Sequence, residues 1–245
     1  MKLTNHVYAI GGGSLGYGLS SDYDCNVYAV DTGEELVLID AGSGIEPERI
    51  LDVMREDGLR IERVGKVLLT HAHADHAGGA AYWRRACGAE IFASVLTAEM
   101  VETGDEIRTA LASARESGTY PASYRLEPCT VDVKLRPGDS IRSGGLSFRS
   151  IAAPGHSFDM VIYFCPELRA LFAADAVFGM DGKLAVLRTP DFSLEQYRDT
   201  IAALVRLDVV QLFPGHGAAL TEHGHLPLAA AHRRFELGLP PLSIV

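Results

Sequence analysis

The sequence predicts a layered α/β protein in which two β-sheets pack face to face and helices cover the outside. Two observations support this fold class. Segments typical of strands and of helices alternate along the chain in two similar halves, each of which would supply one layered unit. Hydrophobic residues make up 47% of the 245 positions, so the chain can bury a substantial core.

The first half of the chain begins with strands and then alternates with helices. Short β-rich segments bounded by turn residues predict strands at 7–10, 26–31 and 36–40. Pro47 begins an amphipathic helix, because proline is favoured in the first turn of a helix. The next predicted elements are a buried strand at 66–69, a helix at 77–86 and a strand at 90–93.

The second half repeats the alternation after a long intervening segment. Residues 97–117 are charged and helix-prone, and residues 119–128 read as irregular. Ser193 is a good N-cap with Gln196 three residues later, so a helix is predicted at 193–207. The other predicted elements are strands at 146–152, 160–165, 171–174 and 209–213 and a final helix at 226–237.

Composition narrows the classes of function. The formal net charge of -10 argues against a nucleic-acid partner, whose phosphates attract a basic surface, and it does not favour an anionic membrane. The first residues lack the apolar region of a secretory signal, and no apolar run approaches the roughly 20 residues that span a bilayer. The four cysteines lie far apart and are expected to be reduced. We therefore expect a cytoplasmic protein that acts on a small-molecule substrate.

The densest chemical signal is the segment Thr70-His71-Ala72-His73-Ala74-Asp75-His76, which directly follows an apolar run. Alternate residues of an extended chain point the same way, so His71 and His73 can converge on one ion. If the chain then turns into a helix, Asp75 and His76 point towards a neighbouring position. One short segment could therefore serve two adjacent metals, and imidazole with carboxylate suits zinc, iron or manganese.

Three further candidate ligands each follow a predicted strand. His156 lies in Pro154-Gly155-His156-Ser157, Asp175 ends the apolar run 171–174, and His216 lies in Pro214-Gly215-His216-Gly217. Glycines allow the backbone to approach an ion closely, and strand ends hold such ligands on a rigid scaffold.

Together with Leu38-Ile39-Asp40-Ala41-Gly42, these motifs resemble the metallo-β-lactamase fold superfamily, and within it the branch that contains glyoxalase II. The resemblance spans most of the chain. It implies an αββα sandwich of two mixed β-sheets flanked by helices, with a two-metal site at one edge. We also expect a single domain over residues 1–245, with a helical cap inserted at 97–129.

The resemblance also implies the roles of the ligands. The first metal would be bound by His71, His73 and His156, the second by Asp75, His76 and His216, and both by Asp175. Two Zn²⁺ ions are expected, with iron or manganese as alternatives. Asp40 matches the acid that supports the ligands from behind in this family.

The function that follows is a dinuclear metal-dependent hydrolase. A zinc-bridging hydroxide, whose pKa two metals lower into the physiological range, would attack a small thioester, ester or lactone. Asp75 would bind the second metal and orient this nucleophile. Tyr120 and Tyr124 are the predicted substrate contacts in the cap, and the alternative for both is packing between the cap and the sandwich.

Two other functions stay open at this stage. One is an oxidoreductase resembling persulfide dioxygenase, with one iron bound by two histidines and one aspartate. The other is a β-lactamase, although β-lactamases of this fold commonly lack the bridging aspartate that Asp175 provides. Glyoxalase II has a C-terminal helical domain that binds glutathione, and the residues after His216 are too few for it. Glutathione thioesters are therefore disfavoured.

Overall fold

The computed structural model describes residues 1–244, in which eleven strands and seven α-helices form. The chain divides into two compact units. The first unit comprises residues 1–136 and 143–145, and the second comprises residues 137–142 and the chain from 146 onward. Each unit is built around one β-sheet. The sequence-based prediction of a single domain over 1–245 stays a prediction.

The elements of the first unit follow the predicted order. Its strands are β1 (Val7–Ala9), β2 (Tyr28–Asp31), β3 (Leu36–Ile39), β4 (Val64–Leu68), β5 (Glu90–Ser94) and β6 (Val133–Leu135). Its helices are α1 (Pro47–Glu56), α2 (Ala74–Ala77), α3 (Ala80–Cys87), α4 (Val95–Thr103) and α5 (Leu111–Glu116), with a short 3-10 helix at Ile61–Arg63. The predicted cap segment, 97–129, therefore contains most of α4, all of α5 and an irregular stretch.

The second unit contains the remaining elements. Its sheet is made of β7 (Ser140–Ser143), β8 (Leu146–Ala152), β9 (Val161–Cys165), β10 (Ala170–Ala174) and β11 (Gln211–Pro214). Its helices are α6 (Leu194–Leu204) and α7 (His225–Glu236). The predicted start of α6 is confirmed, since the Ser193 hydroxyl accepts a hydrogen bond from the Gln196 amide at 3.3 Å.

The sheet of the first unit runs β1-β2-β3-β4-β5-β6 and is mixed. Strands β1 to β3 are antiparallel, whereas β3, β4, β5 and β6 are parallel. All four residues of β3 are buried, as expected for an inner strand that reads as a continuous apolar run. Because Ile39 pairs with Leu68 in parallel strands, the residues that follow them, Asp40 and the Thr70 motif, leave the sheet at the same edge.

The sheet of the second unit runs β11-β10-β9-β8-β7 and is also mixed. Strand β10 is parallel to β11 and antiparallel to β9, which is antiparallel to β8. Strands β8, β10 and β11 therefore run in the same direction and end at the same edge. The three residues that follow them, His156, Asp175 and His216, are placed at that edge by topology alone.

The structure differs from the predicted helix at 77–86. Two helices, α2 and α3, stand there, and Gly78 and Gly79 separate them. A Cβ atom at position 79 would lie 2.1 Å from the carbonyl oxygen of Ala41, so this backbone approach requires glycine. The Gly79 amide also donates to the Gly42 carbonyl at 2.8 Å, which ties the start of α3 to the loop after β3.

Two short strands, β6 and β7, were not predicted. Strand β6 has three residues and β7 has four, so the sequence carries little signal for them. None of the helices formed by residues 1–244 has both the length and the apolar character needed to cross a bilayer.

Candidate metal centre

In the first unit the histidine motif has the local structure that its sequence predicts. The chain is extended at His73 and helix α2 begins with Ala74, so Asp75 and His76 lie in its first turn. The ring centroids of His71 and His73 are 4.6 Å apart, and those of His71 and His76 are 4.1 Å apart. Three imidazoles and one carboxylate of a seven-residue segment are thus gathered at the end of β4.

Asp40 lies behind this cluster and is almost fully buried. Its Oδ1 accepts the Thr70 amide at 2.8 Å, and its Oδ2 accepts the Thr70 hydroxyl at 2.9 Å and His76 Nδ1 at 2.7 Å. Its φ of 63° lies in the left-handed region, which aspartate tolerates better than most residues. The predicted supporting role of Asp40 thus has a direct contact to one candidate ligand.

These hydrogen bonds set the proton positions on two imidazoles. A carboxylate oxygen can only accept, so His76 must donate from Nδ1, and Nε2 is then its electron-pair donor. The only proton of the Thr70 hydroxyl goes to Asp40. The same hydroxyl, 3.0 Å from His71 Nδ1, must therefore accept from that nitrogen. Both histidines are thereby prepared to bind an ion through Nε2.

Asp75 is held between a tyrosine and a histidine. The Tyr120 hydroxyl donates to Asp75 Oδ1 at 3.3 Å, and Asp75 Oδ2 lies 3.4 Å from His76 Nε2. Burial and the neighbouring Asp75 charge raise the pKa of Tyr120 well above its usual value, so its hydroxyl stays protonated and acts as a donor. Tyr120 thus fixes one carboxylate oxygen, while the other faces Nε2 of His76, the unprotonated nitrogen that would bind an ion.

The two tyrosines predicted as substrate contacts lie in an aromatic stack. Tyr120 stacks on Tyr124 with centroids 5.2 Å apart and on Tyr23 with centroids 5.6 Å apart. The Tyr124 hydroxyl donates to the Ser43 carbonyl at 2.6 Å. Tyr120 and Tyr124 also pack against a small buried cluster that joins Ala74 of α2 to Leu111 of α5. Their predicted contact with substrate stays a prediction, whereas their packing is evident.

Sequence reasoning missed two residues near this cluster. Tyr23, which stacks on Tyr120, belongs to no recognisable motif and is far from Tyr120 in sequence. Cys25 is fully buried, and its sulfur lies within 4.8 Å of a carboxylate oxygen of Asp40 and a ring nitrogen of His76. Burial raises the pKa of the Cys25 thiol, which keeps it protonated. No local signal could have found it, because the contact arises where the loop before β2 meets the end of β3.

The second unit brings its three candidate ligands together. Asp175 Oδ2 lies 3.4 Å from His156 Nε2 and 3.5 Å from His216 Nε2. His156 Nδ1 contacts the Ala185 carbonyl oxygen at 3.3 Å, so this nitrogen carries the proton and Nε2 is the electron-pair donor. All three side chains are buried or nearly so. One carboxylate oxygen thus lies between two imidazole nitrogens, as a shared ligand would.

The donor set of each unit fits a divalent transition metal. Imidazole nitrogens and carboxylate oxygens are ligands for zinc, iron and manganese. The nitrogen that faces away from each candidate site on His71, His76 and His156 is already occupied by a hydrogen-bond acceptor. This arrangement is the one by which proteins orient histidine ligands. The clusters can therefore hold metal ions.

Comparison with protein families identifies the class. Residues 21–216 match the family model described as the metallo-beta-lactamase superfamily, and the chain belongs to this superfamily. The matched region begins before Cys25 and ends at His216, so it contains all seven candidate ligands.

Among curated proteins, the lactamase-like protein nscB of Aspergillus fumigatus is 28% identical over 222 residues, which cover 90% of this chain and 55% of that protein. The atrochrysone carboxyl ACP thioesterase of Aspergillus fumigatus is 29% identical over 196 residues, which cover 80% of this chain and 51% of that protein. The chain thus spans about half the length of these relatives.

Solved structures confirm the fold class. A Cronobacter sakazakii metallo-β-lactamase with a HARLDQ motif matches with a TM-score of 0.72 at 18% identity, covering 97% of this chain and 96% of that one. A structure of TTHA1623 in a di-iron-bound form matches with a TM-score of 0.67 at 28% identity, covering 92% and 97%. The prediction of two mixed sheets flanked by helices in the metallo-β-lactamase fold is therefore correct.

Proposed function

We propose that this chain is a metal-dependent hydrolase that cleaves small thioesters, with esters and lactones as related substrates. The observation that carries the proposal is the setting of Asp75. Its Oδ1 is fixed by Tyr120 and its Oδ2 faces His76 Nε2, beside the imidazoles of His71 and His76, whose Nδ1 atoms already have hydrogen-bond partners. A carboxylate held in this way can orient a nucleophile while it also binds an ion.

The proposal assigns the seven ligands as the superfamily motif orders them. One ion would be held by His71, His73 and His156, and the other by Asp75, His76 and His216, with Asp175 as a shared ligand. The hydrogen bonds that direct His71, His76 and His156 through Nε2 support this assignment, as does the position of Asp175 Oδ2 beside His156 and His216. Zinc is the expected metal. Iron is the alternative, because the similar protein TTHA1623 was solved in a di-iron-bound form.

Each group of this chain has a defined task in the reaction. Bound divalent ions supply a nucleophilic hydroxide at neutral pH and polarise the carbonyl of the substrate. Asp75 orients the nucleophile, and Tyr120 keeps the Asp75 carboxylate from rotating. Asp40 holds the proton on His76 Nδ1 and so keeps Nε2 available. The buried setting of these groups strengthens their electrostatic interactions by excluding water.

Thioesters are the preferred class for two reasons. Relatives from Aspergillus fumigatus and Emericella nidulans are named as thioesterases, at 29% and 26% identity. A thiolate is also a good leaving group that needs no proton before it departs, so the hydrolysis does not depend on a general acid. The β-lactamases of similar fold, such as the subclass B3 enzyme BJP-1 at 19% identity, support the fold alone.

A substrate panel tests the proposal. Zinc-loaded protein is offered small acyl thioesters, lactones, a phosphodiester and a chromogenic β-lactam, and the same protein stripped by a chelator is the control. We expect metal-dependent turnover of thioesters and little turnover of the phosphodiester or the β-lactam.

Turnover of only the β-lactam or the phosphodiester would refute the substrate class. Oxygen consumption with glutathione persulfide by iron-loaded protein, without thioester cleavage, would establish the oxidoreductase instead.

A further inference from the structure

Tyr197 lies in helix α6, in the middle of the hydrophobic core of the second unit. Its side chain is fully buried among residues such as Ala153, Leu184 and Ile201. No sequence motif marks it, and an aromatic residue on the buried face of a helix normally serves packing alone. Its hydroxyl group gives it a second role, because a buried hydroxyl needs hydrogen-bond partners.

The hydroxyl of Tyr197 joins two candidate ligands through the backbone. It donates to the carbonyl oxygen of Asp175 and accepts from the amide of Ala185 at 3.3 Å. The carbonyl of Ala185 in turn accepts from His156 Nδ1 at 3.3 Å. These contacts therefore link the His156 ring, through the carbonyl and amide of Ala185 and the Tyr197 hydroxyl, to the backbone of Asp175.

The directions of these hydrogen bonds are mutually consistent. A backbone carbonyl oxygen can only accept, so the single proton of the Tyr197 hydroxyl is donated to the Asp175 carbonyl. That leaves its lone pairs for the Ala185 amide. The His156 ring donates to the Ala185 carbonyl, the Ala185 amide donates to the Tyr197 hydroxyl, and that hydroxyl donates to the Asp175 carbonyl, so every donor meets an acceptor.

Helix α6 is also docked directly onto the turn that carries His156. Gly155 has a φ of 144°, and a Cβ atom at that position would lie 2.4 Å from Tyr197 Cα. The Ser193 amide donates to the Gly155 carbonyl at 2.8 Å, and the Thr200 hydroxyl donates to the Pro154 carbonyl at 2.7 Å. The helix therefore fixes the backbone of this turn while the Tyr197 hydroxyl fixes the ring of His156.

We propose that Tyr197 is a positioning residue that aims His156 Nε2 and the Asp175 carboxylate at the metal. This inference rests on the metal centre of the proposed function, but not on its substrate. Phenylalanine at this position would fill the same volume and leave the Ala185 amide and the Asp175 carbonyl without their partner in the interior. The Ala185 segment would then shift, and the His156 ring would lose its fixed orientation.

The test compares Tyr197→Phe with Ile201→Val. Ile201 is equally buried and lies one turn later on the same helix and in the same core, yet has no polar contact with the ligands. Both changes are expected to lower the midpoint of thermal unfolding. Co²⁺ affinity is measured by chelator competition, and the visible spectrum of bound Co²⁺ reports the ligand geometry. We expect Tyr197→Phe to weaken Co²⁺ binding about 10-fold and to alter the spectrum. Ile201→Val should leave both unchanged.

Two outcomes would overturn the inference. In the first, Tyr197→Phe binds Co²⁺ with wild-type affinity and spectrum while wild-type protein binds the metal normally. In the second, wild-type protein binds no Co²⁺, which would refute the metal centre as well.

Nitrogen NMR of the zinc-loaded wild-type protein provides a test that needs no variant. The inference requires His156 to carry its proton on Nδ1 and to bind zinc through Nε2. Coordination through Nδ1 would break the chain of hydrogen bonds at its first step and refute the role of Tyr197, whereas the expected tautomer supports it.

Discussion

Replacing Asp40 with asparagine should show how strongly metal binding depends on the residue that supports His76, while His76 itself is left unchanged. Asp40 accepts three hydrogen bonds, at 2.8 Å and 2.9 Å from Thr70 and at 2.7 Å from His76 Nδ1. In Asp40→Asn the amide oxygen can still accept the Thr70 amide. The new NH₂ group would then face two other donors, the Thr70 hydroxyl and His76 Nδ1.

The magnitude follows from the contacts that are lost. A hydrogen bond to a charged group contributes about 1.5–3 kcal/mol, so loss of the His76 and Thr70 hydroxyl contacts should cost about 3 kcal/mol or more. His76 can restore a contact only by moving its proton to Nε2, which removes the nitrogen that would bind the ion. Metal affinity should therefore fall by about 10- to 100-fold.

Asp24 supplies a matched control in the same unit. It is as deeply buried as Asp40 and also accepts three hydrogen bonds, from the Ser20 hydroxyl at 2.6 Å and from the Ser43 amide and hydroxyl at 2.7 Å and 2.6 Å. None of these donors is a candidate ligand. Unfolding by denaturant and chelator competition are measured on both variants. We expect Asp24→Asn to lose stability and keep its metal affinity, and equal metal affinity in Asp40→Asn and wild type would refute the reasoning.

Three further predictions follow from the same structure. Removing the metals with a chelator should lower the melting temperature by about 5–10 °C in a calorimetric scan. The reason is that an ion present at roughly 100 times its dissociation constant stabilises the native state by about 2.7 kcal/mol. An unchanged melting temperature would contradict a resident metal. Asp75→Asn should lower kcat by about 10²-fold or more in steady-state assays, and wild-type turnover at full metal occupancy would exclude an essential role. The two hydrogen bonds from Arg63 lower the pKa of Asp31 in the folded protein, so their stabilisation is present at neutral pH and is lost as the pH falls below about 4. Wild type should therefore exceed Asp31→Asn in stability by about 0.5–1 kcal/mol at pH 7, with a gap that closes in acid, and a gap independent of pH would contradict the ion-pair origin.

The sequence was most informative where ligands follow strands. His71, Asp175 and His216 each stand just after an apolar run, and runs of that kind became β4, β10 and β11. Parallel pairing then placed Asp175 and His216 at one edge without further information. The predicted strand ends were accurate to one or two residues, because a change from apolar residues to glycine and polar residues marks them clearly.

The sequence was least informative where a contact depends on distant backbone. Helices α2 and α3 are separate because Gly79 approaches the Ala41 carbonyl. The sequence around Gly78 and Gly79 does not indicate that Ala41 lies beside them. Tyr197 contacts Asp175 and Ala185 through their main-chain atoms. Every residue has such atoms, so no sequence pattern marks these contacts. Cys25 reaches Asp40 and His76 only after the loop before β2 has folded.

The two units orient their histidines with different acceptors. In the first unit a charged side chain, Asp40, receives the proton of His76 Nδ1, whereas in the second unit a neutral backbone carbonyl, that of Ala185, receives the proton of His156 Nδ1. A carboxylate raises the basicity of the imidazole it contacts more than a carbonyl does, because it stabilises positive charge on the ring. A backbone carbonyl cannot be removed by replacing a side chain. Its position depends on the packing around it. The Asp40 contact is therefore sensitive to a change of charge at position 40, whereas the Ala185 contact is sensitive to a change of packing at Tyr197. Asp40→Asn and Tyr197→Phe should thus weaken metal binding by separate routes, the first through a lost charge beside His76 and the second through a lost hydrogen bond to the backbone that holds His156.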